Sequence, residues 1–396
     1  MVEHTFGGVW LHNTFDCLDQ RRNSFTFLRF AFAVLVLCSH SYSLGGFGKD
    51  PLYIFSNGQC SHGSVAVDSF FIISGFLVTQ SCLNTSSIWR YLWHRILRVW
   101  PGYWICLLVT ALIFGAIIHY YQHSNCDYFR TFPNNPLTYI KGNLLLMTRQ
   151  SSIGNLLATN PYPNEFNGSL WVLPYLFLSY LVLGAFHLLG LLKKHKPILV
   201  SICLCLWVGN IFEQHMIRIG MVLLPEGISV KVPHLLICFL FGSMFLLGKK
   251  RIPLHSSIAI AATILTLLSW KYGFYEAVSP VVLPYIIIWL AIKLPLKHWD
   301  KWGDYSYGIY IYAFPVQQMM WVFGLYKCGI VVFTLVSLVF TLVIAIVSWW
   351  LIEKPCLGLK GISVRCLLQR RGTRWQVGRS NERGIYKSVM FIKRNE

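Results

Sequence analysis

The chain has 396 residues, of which 55% are hydrophobic and only 12% are charged. A water-soluble domain usually carries about 25% charged residues, so this composition excludes an ordinary soluble protein and indicates an integral membrane protein. The net charge of +19 does not require a nucleic-acid partner, because membrane proteins concentrate Lys and Arg in their cytoplasmic loops.

Apolar segments that approach the ~20 residues of a membrane-spanning helix recur along the chain. We predict ten such helices, which makes the fold all-α and polytopic. Residues 134–150 are too polar to span alone and are interpreted as part of a long loop. The approximate bounds of the ten segments are 25–46, 62–82, 100–120, 167–192, 197–212, 232–248, 253–270, 275–293, 305–326 and 328–353.

The distribution of basic residues predicts the orientation of the chain. With the N-terminus in the cytoplasm, 25 Lys and Arg residues lie on the cytoplasmic side and eight lie outside, as the positive-inside rule requires. We therefore divide the chain into a cytoplasmic N-terminal segment, 1–24, a membrane domain, 25–353, and a basic cytoplasmic tail, 354–396. The charge of the tail also suits contact with anionic lipid headgroups.

The first predicted helix contains two polar residues, Arg29 and His40. They are eleven residues apart, which places them within about 20° of the same helix face and some 16 Å apart along the axis. Taken alone, Arg29 is also explained by snorkelling to the inner headgroups, and His40 by a hydrogen bond between helices. Together they predict a polar groove along one face of this helix.

The second predicted helix contains Asp68 at about the depth of His40. An ionised aspartate in hydrocarbon costs ~3 kcal/mol or more, so it usually has a partner or a water-filled cavity. We predict that Asp68 pairs with His40 and orients it as a general base. Two turns deeper, Ser74 and Gly75 are small residues that favour a close helix contact.

A basic stretch, WRYLWHRILRVWPGYW, precedes the third predicted span and contains Arg90, Arg95 and Arg98. Topology alone explains three arginines in a cytoplasmic loop. Together with Arg29, however, they are candidates for a basic pocket that binds a phosphorylated ligand, because arginine forks match phosphate oxygens. The cysteines form no paired pattern of the kind that holds zinc, and no metal is predicted.

The order of these motifs resembles acyltransferase family 3, the membrane-embedded sugar O-acyltransferases that include bacterial O-antigen acetylases. The resemblance covers most of the chain and begins with Arg29, which ten intervening residues separate from His40. The further motifs are VDSFFIISGFL around Asp68, RILRVWP from Arg95 to Pro101, GSLWVLPYLF from Gly168 to Phe177, GDYSYGIYIYAFP from Gly303 to Pro315 and IEKP from Ile352 to Pro355.

The resemblance implies an O-acetyltransferase (EC 2.3.1) in the bacterial cytoplasmic membrane. It would move an acyl group, by resemblance acetyl, from cytoplasmic acetyl-CoA to a hydroxyl of a surface polysaccharide such as lipopolysaccharide O-antigen, or of a lipid-linked sugar, on the outer side. Arg29, Arg95 and Arg98 would bind the nucleotide end of the donor. His40 would deprotonate the acceptor hydroxyl or briefly carry the acyl group itself.

Two positions depart from the family pattern. Leu176 stands where relatives commonly have a glutamate, and Ala313 and Phe314 stand where many have a histidine before the proline. Four aromatic residues are candidates for stacking on the acceptor sugar, although each also fits the interfacial aromatic belt of membrane proteins. They are Trp171, Tyr175, Tyr307 and Tyr310.

A transporter or flippase for a lipid-linked sugar is the competing hypothesis, with the buried polar residues serving as a proton relay. Transporters often show inverted internal repeats, and no convincing repeat relates the two halves of this sequence. A scaffold without chemistry leaves Arg29, His40 and Asp68 unexplained.

Overall fold

The computed structural model describes residues 15, 23–85, 87–123, 127–130, 134–218 and 231–361. Most of the predicted N-terminal segment and most of the predicted basic tail lie outside these residues. Every regular element within them is helical, which confirms the all-α fold class.

The helices are numbered in chain order, and two of them continue through π-helical turns. The turn Val109–Phe114 joins α4 to α5, and the turn Trp349–Glu353 joins α13 to α14. The bounds are α1 (Phe25–Gly45), α2 (Pro51–Phe55), α3 (His62–Leu83), α4 (Ile88–Leu108), α5 (Gly115–His123), α6 (Pro136–Asn143), α7 (Leu173–Leu188), α8 (Lys196–Arg218), α9 (Lys231–Gly248), α10 (Ser256–Tyr272), α11 (Tyr275–Lys293), α12 (Ser306–Val322), α13 (Gly329–Ser348) and α14 (Lys354–Gly358).

A helix occupies each of the ten apolar segments predicted from the sequence. In the described part of the chain, seven helical stretches are long and apolar enough to cross a membrane, and α9 and α10 contain shorter apolar helices. The protein is therefore a polytopic integral membrane protein, and the count of ten spans stays a prediction. The seven stretches are Phe25–Gly45, His62–Leu83, Ile88–His123, Gly168–Leu188, Lys196–Gln214, Tyr275–Lys293 and Leu325–Gly361.

Helix α3 lies at the centre of the packing and makes its most extensive contact with α9. A methyl group on Gly75 would lie 1.9 Å from the Phe239 carbonyl oxygen, and one on Gly242 would lie 2.2 Å from the Ile72 carbonyl oxygen. The two backbones therefore touch where each helix has a glycine. This confirms the prediction that Gly75 permits a close helix contact.

The long segment before α7 is fastened to α12 by side-chain amides. Asn160 donates to the Gln318 amide oxygen at 2.7 Å, and Gln318 donates to the carbonyls of Tyr162 and Glu165 at 2.8 Å each. Irregular backbone within a membrane protein needs such internal partners because hydrocarbon offers none. Residues 134–150 contain only the short helix α6, which agrees with their interpretation as loop.

Candidate active site

The first of two neighbouring cavities is named here the arginine cavity. It has a volume of about 140 Å³ and lies between α1, α3, α4, α7 and α12. Arg29 enters it from the first turns of α1, and Arg95 and Arg98 enter it from α4. The structure thus places three of the four arginines singled out in the sequence around one space, because α1 and α4 begin at the same end of the bundle as α12. The inclusion of Arg90 in this pocket is wrong, because Arg90 is exposed and lines neither cavity.

Two of these arginines share one carboxylate. Asp304, in the loop before α12, lies 3.0 Å from Arg29 and 2.5 Å from Arg98. Glu353 lies 3.7 Å from Arg98 and is 2% exposed. Burial acts to raise the pKa of Asp304, but Arg29 and Arg98 lower it to about 2. Asp304 is therefore ionised at neutral pH and offsets the positive charge of both arginines.

Arg95 has a different environment from the other two arginines. In the described chain it makes no ion pair; its guanidinium donates to the Ser81 hydroxyl at 3.3 Å. Its guanidinium carbon lies 5.9 Å and 5.7 Å from the ring centres of Tyr91 and Tyr180. Leu176, at the position where the resemblance leads us to expect a glutamate, lines the same cavity. Arg95 therefore offers the cavity a positive charge with no carboxylate opposite it among the described residues.

The second cavity, named here the histidine cavity, has a volume of about 580 Å³. His40, near the C-terminal end of α1, lines it together with Asp68 and His234 near the N-terminal ends of α3 and α9. Because α3 and α9 run antiparallel to α1, these ends meet on the opposite side of the bundle from Arg29. The cavity is large enough for part of a sugar, and its lining includes six hydroxyl groups and the carboxyl groups of Asp68 and Glu276.

The predicted pairing of Asp68 with His40 is wrong. Asp68 is buried and accepts hydrogen bonds from the Tyr275 hydroxyl at 2.8 Å and from His234 Nε2 at 3.2 Å. These partners come from α11 and α9, which pack directly against α3. Asp68 still lines the same cavity as His40. His234 and Tyr275 are thus site residues that the sequence analysis missed.

His40 lies on the wall of the histidine cavity, and it forms no ion pair with a carboxylate of the described residues. Its Nδ1 atom is buried and has no hydrogen-bond partner in the described chain. The ring packs edge-to-face against Phe314 with the ring centres 5.4 Å apart. Packing, rather than an aspartate, therefore holds the imidazole in place.

The cluster around Asp68 also contains donor types that bind transition metals. Cys238 Sγ lies 3.6 Å from His234 Nε2, and ligand atoms of Asp68, His234 and Cys238 lie within 4.8 Å of one another. A metal-bound histidine normally donates its other ring N–H to an acceptor, but His234 Nδ1 has no partner among the described residues. The absence of a metal from this site therefore stays a prediction.

The four aromatic candidates do not share one site. Trp171 lines the histidine cavity. The ring of Tyr175 packs against the ring of Trp171 with their centres 5.9 Å apart, but Tyr175 lines neither cavity. Tyr307 lines the arginine cavity, where the Arg98 guanidinium lies over its ring at 5.8 Å. Tyr310 lines both cavities. Trp171 therefore lines the same cavity as His40, and Tyr307 lines the same cavity as the three arginines.

The two cavities adjoin at Val67 and Tyr310, which line both of them. The Tyr310 hydroxyl donates to the Ser169 carbonyl at 2.9 Å, and its ring lies edge-on to Phe70 with centres 6.0 Å apart. A basic space on one side and a histidine-containing space on the other are thus separated by a thin layer of side chains.

Comparisons with a protein family and with individual proteins relate this chain to acyltransferases. The model of an acyltransferase domain that defines acyltransferase family 3 matches residues 22–352. The chain is 28% identical over 348 residues to the O-acetyl transferase of Shigella phage Sf6, covering 84% of this chain and 96% of that relative. It is 27% identical over 372 residues to nodulation protein 10 of Rhizobium leguminosarum bv. viciae, covering 86% and 94%. No solved structure matches significantly.

Proposed function

Because this chain belongs to acyltransferase family 3, we propose that it transfers an acetyl group from cytoplasmic acetyl-CoA to a hydroxyl of a surface glycan or lipid-linked sugar across the bacterial cytoplasmic membrane. The observation that carries the proposal is the adjacency of the arginine cavity and the histidine cavity. A reaction between substrates from opposite sides of a membrane needs two such spaces that meet inside the protein.

The arginine cavity is the proposed donor site. Coenzyme A carries phosphates at one end and its thioester at the end of a long, flexible arm. Arg95, which has no carboxylate partner in the described chain, would bind a phosphate through charge-assisted hydrogen bonds. Arg29 and Arg98, held by Asp304, would line the entrance with fixed geometry. The arm then extends along α1 towards His40.

The histidine cavity is the proposed acceptor site. His40 takes the proton of the acceptor hydroxyl while its oxygen attacks the thioester carbonyl, and the C–S bond then breaks. The departing thiolate takes the proton back from His40, which leaves an ester and free coenzyme A. In the alternative sequence His40 first accepts the acyl group and then passes it to the hydroxyl. Asp68, fixed by Tyr275 and His234, supplies an acceptor for a sugar hydroxyl.

The decisive experiment incubates purified protein with radiolabelled acetyl-CoA and a bacterial glycan acceptor and measures labelled ester. The His40→Ala variant should lose at least about 100-fold in rate, since a positioned general base contributes 10²–10⁴-fold. His298→Ala is the matched control, because His298 is exposed and lines neither cavity. It should keep full activity.

The same assay separates the competing functions. A transporter or flippase would move a lipid-linked sugar across reconstituted vesicles and leave no ester on it. Ester formation that is undiminished in a well-folded His40→Ala variant would remove His40 from the mechanism. Absence of ester from the unmodified protein with every glycan tested would contradict the proposed reaction.

A further inference from the structure

We infer that a cleft between the ends of α8 and α9 binds the headgroup of an anionic phospholipid. The cleft is named here the basic cleft. It has a volume of about 370 Å³ and lies between the first turns of α8, the last turns of α9 and the loop that follows α9. It shares no lining residue with the arginine cavity or the histidine cavity. The inference therefore goes beyond the proposed reaction and does not depend on it.

The charge of the basic cleft is the first observation. Lys196 lines it at the start of α8, and Lys250 and Arg251 line it in the loop after α9. All three are exposed, and none of them forms an ion pair with another described residue. The sequence contains no Asp or Glu in residues 166–212 or 227–275. Topology explains basic residues beside membrane helices, but it does not require that two separate segments direct them to one cleft.

The apolar side of the basic cleft is the second observation. Helices α8 and α9 each contribute two apolar side chains to the lining, Leu199 and Val200 from α8 and Met244 and Leu247 from α9. Val200, Leu204 and Val208 are exposed and lie four residues apart, so they form one apolar stripe that leads along α8 away from the cleft. A soluble phosphate would contact only the cationic side. A phospholipid would contact both sides, with an acyl chain along the stripe.

The level of the basic cleft in the membrane is the third observation. A candidate membrane-spanning helix begins at Lys196, and the shorter apolar helix of α9 ends at Gly248. Both apolar stretches thus end at the cleft, which places it at the level of the lipid headgroups. Basic pockets between membrane helices bind anionic headgroups, and each Lys or Arg near an anionic surface contributes about a fivefold gain in affinity. A zwitterionic headgroup brings its own positive amine, which the three cations repel.

The test titrates the detergent-purified full chain with phosphatidylglycerol or with phosphatidylcholine of the same acyl chains, and native mass spectrometry measures the bound fraction. The unmodified protein should bind phosphatidylglycerol at least about tenfold more tightly than phosphatidylcholine. The combined variant Lys196→Gln, Lys250→Gln and Arg251→Gln should bind the two lipids within about twofold of each other. The three residues are exposed, so their replacement leaves the packed core intact.

The matched control removes three exposed cations that lie outside the basic cleft, by Arg90→Gln, Lys297→Gln and Lys301→Gln together. This variant has the same net charge as the cleft variant and should keep the full preference for phosphatidylglycerol. Val200→Trp keeps every charge and fills the apolar side of the cleft. It should raise the Kd for phosphatidylglycerol at least fivefold.

Equal loss of the preference in the two triple variants would overturn the inference, because net charge rather than the basic cleft would then attract the lipid. An unchanged preference in the cleft variant, or an unchanged Kd in Val200→Trp, would also overturn it. Soluble glycerol phosphate that competes as well as the lipid would show that the ligand is not a phospholipid. No acetyl-CoA is present in these measurements, so failure of this inference is distinguishable from failure of the proposed acetyl transfer.

Discussion

At the scale of single residues, Asp304 divides the three arginines of the arginine cavity into two kinds. Arg29 and Arg98 lie within 3.0 Å of its carboxylate. Removing one member of a buried ion pair typically costs about 3–5 kcal/mol, because a charge is left without its partner. Substitution of either arginine therefore mixes a structural effect with any effect on the donor. Arg95 is the better probe of donor binding.

We predict that Arg95→Gln raises the apparent KM for acetyl-CoA at least tenfold and leaves that for the acceptor within about twofold. A hydrogen bond to a charged group is worth about 1.5–3 kcal/mol, and about 1.4 kcal/mol corresponds to a factor of ten. Steady-state kinetics with each substrate varied in turn measure both constants.

The neighbouring Arg90 supplies the control for this substitution. It lies on the same helix, is exposed and lines neither cavity. Arg90→Gln should leave both constants unchanged. If Arg95→Gln raised the apparent KM for the acceptor more than the apparent KM for acetyl-CoA, the assignment of the two cavities would have to be reversed.

At the scale of the elements, the contact between α3 and α9 positions two polar residues of the histidine cavity. Asp68 lies on α3 and its partner His234 lies on α9. The helices approach until a methyl group on Gly75 would lie 1.9 Å from a backbone carbonyl of α9. The distance between Asp68 and His234 therefore depends on glycines two turns away.

Gly75→Ala is expected to lower the thermal unfolding midpoint by several degrees and to reduce acetyl transfer. The added methyl group forces α9 away from α3, and overpacking of this kind typically costs 1–3 kcal/mol. Circular dichroism of the detergent-purified protein measures the unfolding midpoint, and the radiolabel assay measures activity.

Gly209→Ala in α8 is the matched control, since a methyl group there meets no atom within 4 Å. Alanine favours a helix more than glycine does, so this variant should be as stable as the original or slightly more so. Equal midpoints for Gly75→Ala and the unmodified protein would show that α3 and α9 tolerate separation.

The sequence predicted helix positions well where the chain is apolar, and it predicted them less well where the chain is amphipathic. Each predicted segment contains a helix, yet α4 begins at Ile88, twelve residues before the predicted span. Those residues include Arg90, Arg95 and Arg98, whose charge lowers the hydropathy although the helix continues through them. Hydropathy locates the apolar part of a helix and not its end.

Partner choice was the part of the site that the sequence did not specify. His40 and Asp68 belong to successive predicted spans, which made them natural partners. The actual partners, His234 and Tyr275, are 166 and 207 residues away from Asp68 along the chain. Only the packing of α9 and α11 on α3 brings them together. A single sequence predicts that a buried carboxylate needs a partner, but not which distant helix supplies it.

At the scale of the whole molecule, the two cavities lie towards opposite ends of the helix bundle. Helix α1 has 21 residues and is therefore about 31 Å long. Lys49 follows its C-terminal end, whereas Asp304, which binds Arg29, and the nearby Lys301 lie beside its N-terminal end. If donor and acceptor approach from different sides, Lys49 and Lys301 must face different compartments.

This arrangement predicts the outcome of site-directed labelling. The native cysteines, twelve in number, are first replaced, and then Lys49→Cys or Lys301→Cys is introduced singly. Both lysines are exposed, so each new thiol should be accessible. In right-side-out membrane vesicles a membrane-impermeant maleimide should label the residue 49 thiol and leave the residue 301 thiol unreacted.

Detergent-disrupted vesicles serve as the control, and there both thiols should react. The expected result follows from the excess of basic residues on the side of Lys301, which the positive-inside rule assigns to the cytoplasm. Labelling of residue 301 alone would show that the protein has the inverted orientation, with the arginines on the wrong side of the membrane for cytoplasmic acetyl-CoA. Labelling of both thiols in intact vesicles would mean that the bundle does not separate two compartments between these positions, and transfer across the membrane would then lose its structural basis.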